Sequence, residues 1–315
     1  MWPASLTPLP ASVCNTPWLT LLNCAFPDCL AAWGQTAWRE TFNRHAATQA
    51  TVSGSGKALH FVPANLLPAG IAYEEFIFKS GQVPSRDNPH DFFNALIWLA
   101  FGKTKALLNR WQAQQIAAHG IGASRGKLRD FLTVFDENAL LLIADYPAKY
   151  CLEQHDWITL LVKRRSDWLR ENSSLMAIPF GHALLEKLLK PYKALTAHVW
   201  TITDLKCCLA IKKNPYNPSF HALSKTKMPE KAHKEYSSAF LTAFTVLSKL
   251  DQQVATVLEA VLPNLTASNR YLHPLPVLGI PGWWPANEQA SFYEDTQVFR
   301  PRRKKPYLAK LIGPD

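Results

Sequence analysis

SRDNPHDFFNALIWLAF, running from Ser85 to Phe101, sets a dense polar cluster against a long apolar run. Asn88 is a capping residue type, and Pro89 behind it has the fixed φ and missing N–H that suit a first helical position, so a helix is predicted from here to Phe101. At about 100° per residue, Phe92, Phe93, Ala95, Leu96, Ile97, Trp98 and Leu99 point in every direction around that helix. A helix apolar all round is buried. Other layers must therefore wrap it, and its polar first turn either lies buried or faces a cleft.

That first turn holds residue types able to do chemistry. His90 and Asn94 are four apart and share a face, with Asp87, Asn88 and Asp91 close by. Such a set can bind a metal or supply a general base. Asn88 and Asp91 also resemble a capping box, and a carboxylate there complements the helix dipole. Capping leaves Asp87, His90 and Asn94 unexplained. A second pair lies in FGHALLEKL, Phe180 to Leu188, where His182 and Glu186 are four apart and border the face carrying Leu184, Leu185, Leu188 and Leu189. Should the two helices meet, His90, Asp91, His182 and Glu186 offer mixed nitrogen and oxygen ligands for a divalent metal such as zinc, manganese or iron. Arg86 and Arg129 are placed to steer an anion toward it.

Outward from these motifs, helices and short strands mix. Gly102 interrupts the first helix, and a second is predicted to His119. Ala31–Ala47 and Trp157–Arg170 have helical spacing, and Gly181–Lys190 forms a short helix ended by Pro191. Phe131–Phe135 and Leu140–Ala144, joined by Asp136-Glu137-Asn138-Ala139, predict a β-hairpin with a polar turn. Leu175–Phe180 and Thr196–Thr203 are strand-like. Residues 211–234 are polar, basic and proline-containing, a surface loop leading to an inserted amphipathic helix over Tyr236–Val261. Leu272–Pro301 carries Pro274, Pro276, Pro281, Pro285 and Pro301, the composition of an ordered, extended strap. The expectation is one α+β domain over 1–301 with a small antiparallel or mixed sheet: a helical part at 1–80, a core at 84–205, an inserted loop and helix at 206–262 and the strap at 272–301. A basic tail, 302–315, follows.

With 315 residues, 48% of them apolar, the chain can bury a sizeable core and is neither disordered nor fibrous. Its longest apolar run, Ala95–Phe101, falls far short of the roughly 20 residues a membrane span needs. Cys14, Cys24, Cys29, Cys151, Cys207 and Cys208 contain no C-x-x-C, so a thiolate zinc site is poorly supported and free, mostly buried thiols are expected. The opening MWPASLTPLP lacks the basic and apolar regions of a secretory signal, which predicts a cytoplasmic protein. The net charge is +10, with Arg300, Arg302, Arg303, Lys304, Lys305 and Lys310 against a single acid at the C-terminal end. A terminal basic run of this kind is a solvated tail, so nucleic-acid binding has little support. Oligomeric state is left open.

Three further stretches carry residue types capable of chemistry. Gly122-Ala123-Ser124-Arg125-Gly126 matches G-x-S-x-G, but the elbow needs a strand before it and a helix after; a serine hydrolase is excluded, although Arg125, Lys127 and Arg129 can hold an anion. Gly54-Ser55-Gly56-Lys57 fails as a phosphate loop, with Thr51 at the first glycine position and Ala58 where Ser or Thr belongs. In the strap, Trp283, Trp284 and Asn287 have the aromatic and hydrogen-bonding character to stack a base or sugar ring; the same tryptophans serve equally to pin the strap to the core.

RDNPHDFFNALIWLAF, RDFLTVFDENALLL, FGHALLEKL and LPVLGIPGWWPANEQASFYEDTQVFRP, in that order, resemble a bacterial family catalogued as domain of unknown function 3025, over about Pro84 to Pro301. The resemblance implies that Arg86, Asp87, His90, Asp91, Asn94, Asp136, Glu137, His182, Glu186, Trp283 and Asn287 belong to its signature, and it implies no activity or cofactor. The residues themselves point to a metal-assisted hydrolase acting on a phosphate- or nucleotide-like anion. The alternative is a non-catalytic binding protein in which the same residues form a buried structural network.

Overall fold

The computed structural model describes residues 9–120, 126–170, 173–203, 230–265 and 271–302. Helices α1 (Ala11–Cys14), α2 (Pro17–Ala25), α3 (Pro27–Ala31) and α4 (Trp38–Thr48) open the chain. Strand β1 (His60–Pro63), helix α5 (Tyr73–Ser80) and strand β2 (Gln82–Ser85) lead into the buried helix α6 (Pro89–Ala100) and its successor α7 (Gly102–His119). Then come α8 (Lys127–Asn138), β3 (Ala139–Ile143), α9 (Tyr146–Gln154), a π-helical turn (Ile158–Lys163), α10 (Arg165–Leu169), β4 (Met176–Pro179), α11 (His182–Lys187) and β5 (Thr196–Ile202). The long helix α12 (Glu230–Val261), strand β6 (His273–Pro276) and three 3₁₀ turns between Val277 and Glu294 complete the described chain.

The expected opening of α6 is observed: the Asn88 side chain accepts from Asp91 N at 2.8 Å with Pro89 in the first turn. Every residue from Asp91 to Ala100 is buried. Phe92 alone meets Trp33, Trp38 and Phe42 at ring-centroid distances of 4.9, 5.5 and 5.0 Å, edge or tilted contacts that add to its area burial. Truncating such a ring costs about 3–5 kcal/mol.

The main sheet is mixed, in the order β4-β3-β5-β6. β3 lies antiparallel to β4 and parallel to β5, and β6 lies antiparallel to β5. β1 and β2 form a separate parallel pair, with Val62 opposite Pro84. β3, ALLLI, is buried at every position, as a strand covered on both faces must be. One continuous core runs from Leu9 to Phe299, so the chain is a single α+β domain, as expected. Among the described residues, no helix is long and apolar enough to cross a membrane.

The structure corrects four expectations. The hairpin does not form: residues 127–138 are helical, because Leu128, Phe131, Leu132 and Phe135 recur at helical spacing and bury one face, and β3 takes its partners from 176–179 and 196–202. The expected turn is the last turn of that helix. Ala31–Ala47 is two helices, parted near Gly34 at φ 75°. Trp157–Arg170 is broken where Arg164 turns back to grip Asp145 through both terminal nitrogens, at 2.7 and 2.6 Å. The helix expected as an insertion instead completes the core: α12 packs on α2 and α7 and buries Val246, Leu247, Leu250, Val254 and Leu258. Most of the loop before it, the G-x-S-x-G loop at 122–125 and the tail beyond Arg302 lie outside the described residues.

α12 also caps α7. A helix leaves its first N–H groups without partners, and α7 has no capping side chain of its own. Asp251 supplies one from across the core, its carboxylate accepting from Lys103 N at 2.9 Å, Thr104 N at 2.8 Å and Thr104 Oγ1 at 2.7 Å. Stranding three donors at a buried position costs on the order of 3 kcal/mol. We expect Asp251→Ala to lose about that much in urea unfolding and Asp251→Asn to lose less, since its amide oxygen still accepts. A loss below about 1 kcal/mol in the alanine variant would show that the cap carries little.

Candidate metal centre

Two backbone features bring the polar residues together. The Asn88 cap and Pro89 fix where α6 begins, which sets His90 in its first turn. Gly181 fixes where α11 begins: a Cβ there would lie 2.5 Å from both Asn138 N and Glu137 O, so only glycine lets this chain pass the end of α8. Phe180 N and Gly181 N both donate to Ala139 O, at 3.0 and 2.8 Å. His182 is thereby held against both α6 and the last turn of α8.

The two histidines converge. His90 Nε2 and His182 Nε2 are 3.2 Å apart, with ring centroids at 4.6 Å and planes at 77°. Glu137 Oε2 lies 3.4 Å from His182 Nε2, and donor atoms of His90, Glu137 and His182 all fall within 4.8 Å of one another. Glu186 approaches from the other side of His90, its Oε2 2.9 Å from Nδ1. A carboxylate there orients the ring and leaves Nε2 directed at the shared centre. Zinc–ligand bonds of about 2.0–2.2 Å imply tetrahedral edges of roughly 3.3 Å. Both measured separations are close to that edge length.

Asp91 stands apart from this trio. It accepts from Arg86 Nε at 2.9 Å, Arg86 Nη2 at 3.0 Å and Arg86 N at 2.6 Å, so it holds Arg86. Asn94 and Asp136 are joined through Lys105, whose Nζ donates to Asn94 Oδ1 at 2.9 Å and Asp136 Oδ1 at 2.5 Å while lying over Trp98 at 5.3 Å. Arg86, His90, Asp91, Asn94, Asp136, Glu137 and His182 share the wall of one cleft of about 380 Å³.

Other expected residues lie elsewhere. Asp87 accepts from Trp38 Nε1 at 2.9 Å and pairs with Arg39, which ties it to α4. Arg129 reaches the Gly120 carbonyl at 3.4 Å. Trp283 is buried against Trp18 at 5.8 Å, and Trp284 is half-buried against the core. Asn287 is 1% exposed and donates through Nδ2 to Leu278 O at 2.8 Å and Ile280 O at 2.7 Å. The strap's polar and aromatic residues thus anchor the strap. None of these five lines the cleft.

Residue patterning did not mark Glu137 or Lys105 as site residues, although the family resemblance placed Glu137 in the signature. A helical reading of Leu128, Phe131, Leu132 and Phe135 would have carried Asp136 and Glu137 into an ordered turn. Lys105 shares a stripe with Phe101, Leu108 and Gln112, and a lysine on an apolar stripe is itself a signal. A second trio, Asp28, Cys29 and His45, is also close enough to share an ion. There Asp28 and His45 already pair at 2.8 Å, and Arg44 is near enough to lower the Cys29 thiol's pKa against its burial, a charge that opposes a cation.

Burial pushes the His182 pKa down to about 3, more than Asp136 can offset. Its Nδ1 makes no hydrogen bond of normal geometry, although the Asp136 main chain is near enough to favour the protonated ring slightly. Burial also raises Glu137 against the opposing pull of His90. Burial would raise Asp136 too, but Lys105 and His182 outweigh it and its pKa falls below the ordinary value. His182 is therefore a neutral ligand type at physiological pH. In the metal-free protein the unfolded chain takes up a proton on this ring below about pH 6.5 and the folded chain does not, so stability is full above that pH and declines as the pH falls toward 3. We expect this acid-side decline to be shallower in His182→Gln, measured by denaturant unfolding between pH 7 and 4. Parallel curves for the two proteins would contradict a neutral buried ring.

No curated protein and no solved structure matches the chain. One family model, described as Protein of unknown function (DUF3025), matches residues 59–303, a span that holds every residue of the His90, Glu137, His182 and Glu186 cluster. Since that span is well over half of the sequence, the chain belongs to the family described as Protein of unknown function (DUF3025).

Proposed function

We propose that the protein is a metal-dependent hydrolase acting on a phosphate ester, with His90 Nε2, His182 Nε2 and the Glu137 carboxylate as ligands. The observation that carries this reading is the spacing of those donors, 3.2 and 3.4 Å, at the wall of a cleft. Two histidines, one carboxylate and an open position form a ligand set suited to catalysis. A metal held there lowers the pKa of a bound water toward 7.

The chain's own residues supply the rest. Glu186 keeps the His90 proton on Nδ1. Asp91 clamps Nε and Nη2 of Arg86, whose side chain is 64% exposed, and Nη1 remains to meet a substrate oxygen, the kind of charge-assisted contact phosphate favours. Hydrolysis adds one water: its oxygen bonds to phosphorus, the P–O bond to the alcohol breaks, and the two protons of water end on the phosphate and the released alcohol. A cytoplasmic setting suits the free Cys14, Cys24, Cys29 and Cys151.

The second reading is a non-catalytic protein with a buried structural network. The same separations favour it, because 3.2 Å also fits a hydrogen bond from one imidazole to the other. Elemental analysis of tag-free protein decides between them. We expect near-stoichiometric zinc, manganese or iron in the wild type, absent from folded His90→Ala, and a roughly 10–100-fold weaker metal affinity in Glu186→Gln. Metal-free wild type that takes up none of these ions on loading, and variants that unfold instead, would establish the network.

A further inference from the structure

The cleft extends past the histidines, and most of its further wall is polar. At about 380 Å³ it falls within the roughly 300–1,000 Å³ of sites that enclose whole small ligands. Asn94 lies one turn along α6 from His90, about 6 Å at roughly 1.5 Å per residue, and its Nδ2 donates to the Tyr73 hydroxyl at 3.0 Å. α7 packs on α5 and α6 and buries Lys105, Asn109 and Gln112 along one stripe. The first two are engaged: Lys105 donates to Asn94 and Asp136, and Asn109 donates to Glu74 Oε2 at 2.7 Å. Gln112, only 8% exposed, lines the cleft, and its amide has no hydrogen-bond partner among the described residues. Buried amides are as a rule hydrogen-bonded, so a glutamine held here without a protein partner is placed for what the cleft receives.

Two more groups of the lining have hydrogen-bonding capacity to spare. The Tyr73 hydroxyl accepts from Asn94 and keeps its own proton to give, and among the described residues Glu74 Oε1 is unengaged while Oε2 takes Asn109. We propose that the substrate is the phosphate monoester of a polyhydroxyl compound, its phosphate at the metal and Arg86 and its hydroxyls on Gln112, Tyr73 and Glu74. This rests on the metal-centre reading above and narrows it. A hydroxyl both donates and accepts, which matches an amide, an O–H donor and a carboxylate oxygen together. An ammonium group only donates and leaves the Tyr73 proton and the Gln112 N–H unmatched. An alkyl chain would strand all three groups. A nucleotide base is held by stacking on aromatic faces, and Trp283 and Trp284, whose sequence position invited that role, pack on the core and do not line the cleft.

Titration calorimetry on full-length, metal-loaded protein tests this with ligands that hydrolysis cannot consume: butylphosphonate, dihydroxybutylphosphonate, aminobutylphosphonate and the phosphonate analogue of adenosine monophosphate. The dihydroxy ligand is expected to bind at least about tenfold more tightly than butylphosphonate, the gain from about two added hydrogen bonds. Gln112→Leu keeps the side chain's bulk and strands no protein group. With the wild-type metal content, it is expected to erase most of that preference, and Tyr73→Phe is expected to reduce it. If the leucine variant unfolds, the phenylalanine variant decides alone. Equal affinity for the dihydroxy and unsubstituted ligands, tighter binding of the amino or nucleotide ligand, or a preference unchanged in the folded variants would overturn the inference while leaving the metal centre standing. A metal-loaded protein that binds none of these ligands overturns it in the same way. A protein that takes up no metal overturns both readings.

Discussion

Lys105 and Asp136 form the contact on which the site's geometry depends. Both side chains are almost fully buried, and their atoms meet at 2.5 Å with Asn94 completing the lysine's coordination. One residue comes from α7, one from the last turn of α8 and one from α6, so a single ammonium group fixes the mutual rotation of three helices. Taking two charges out of water costs several kcal/mol per ion before their attraction repays it. Removing one partner alone strands the other, at about 3–5 kcal/mol. An apolar pair would fill the same volume more cheaply. It would not set which way the end of α8 faces, and that end carries Glu137.

The consequence reaches the histidines through charge as well as position. Asp136 remains ionised beside His182, offsetting part of the burial that keeps the ring neutral. Glu137, the next residue, lies on the solvent side of the same turn and is 39% exposed. Successive residues of one helical end thus serve as a buried anchor and a cleft-facing donor. The glycine at 181 permits this closeness, because any side chain there would press on the backbone of Glu137 and Asn138.

Much of the frame was legible in the sequence and some of the site was not, for physical reasons. The α6 start was readable because Asn88 and Pro89 act locally, and its burial because apolar side chains surround it. Strands β4 and β5 and the short helix α11 could be read from local patterning in the same way. The 127–144 region was misread because Phe131–Phe135 and Leu140–Ala144 flank a polar tetrad, a local arrangement shared by a hairpin and by a helix running into a strand; long-range pairing of β3 with β4 and β5 decides between them. His90, His182 and Glu186 were visible through i,i+4 spacing. Glu137 was not, since nothing within its own segment records that α11 arrives beside it.

Asp91 shows how one residue type at one position can be claimed by competing roles. Its place in the first turn of α6 suits a cap, a metal ligand or an ion-pair partner equally well on spacing alone. Each of its oxygens is already spent: Oδ1 takes Arg86 Nη2, and Oδ2 takes both Arg86 Nε and Arg86 N. A metal would have to displace charge-assisted bonds held within five residues of chain, which are closed with little loss of freedom. Among the described residues Glu137 Oε2 meets only His182, and it reaches the histidines from a separate helix. In the proposed metal site the ligand role therefore falls to the carboxylate that comes from afar, while the one beside His90 in sequence holds the guanidinium of Arg86.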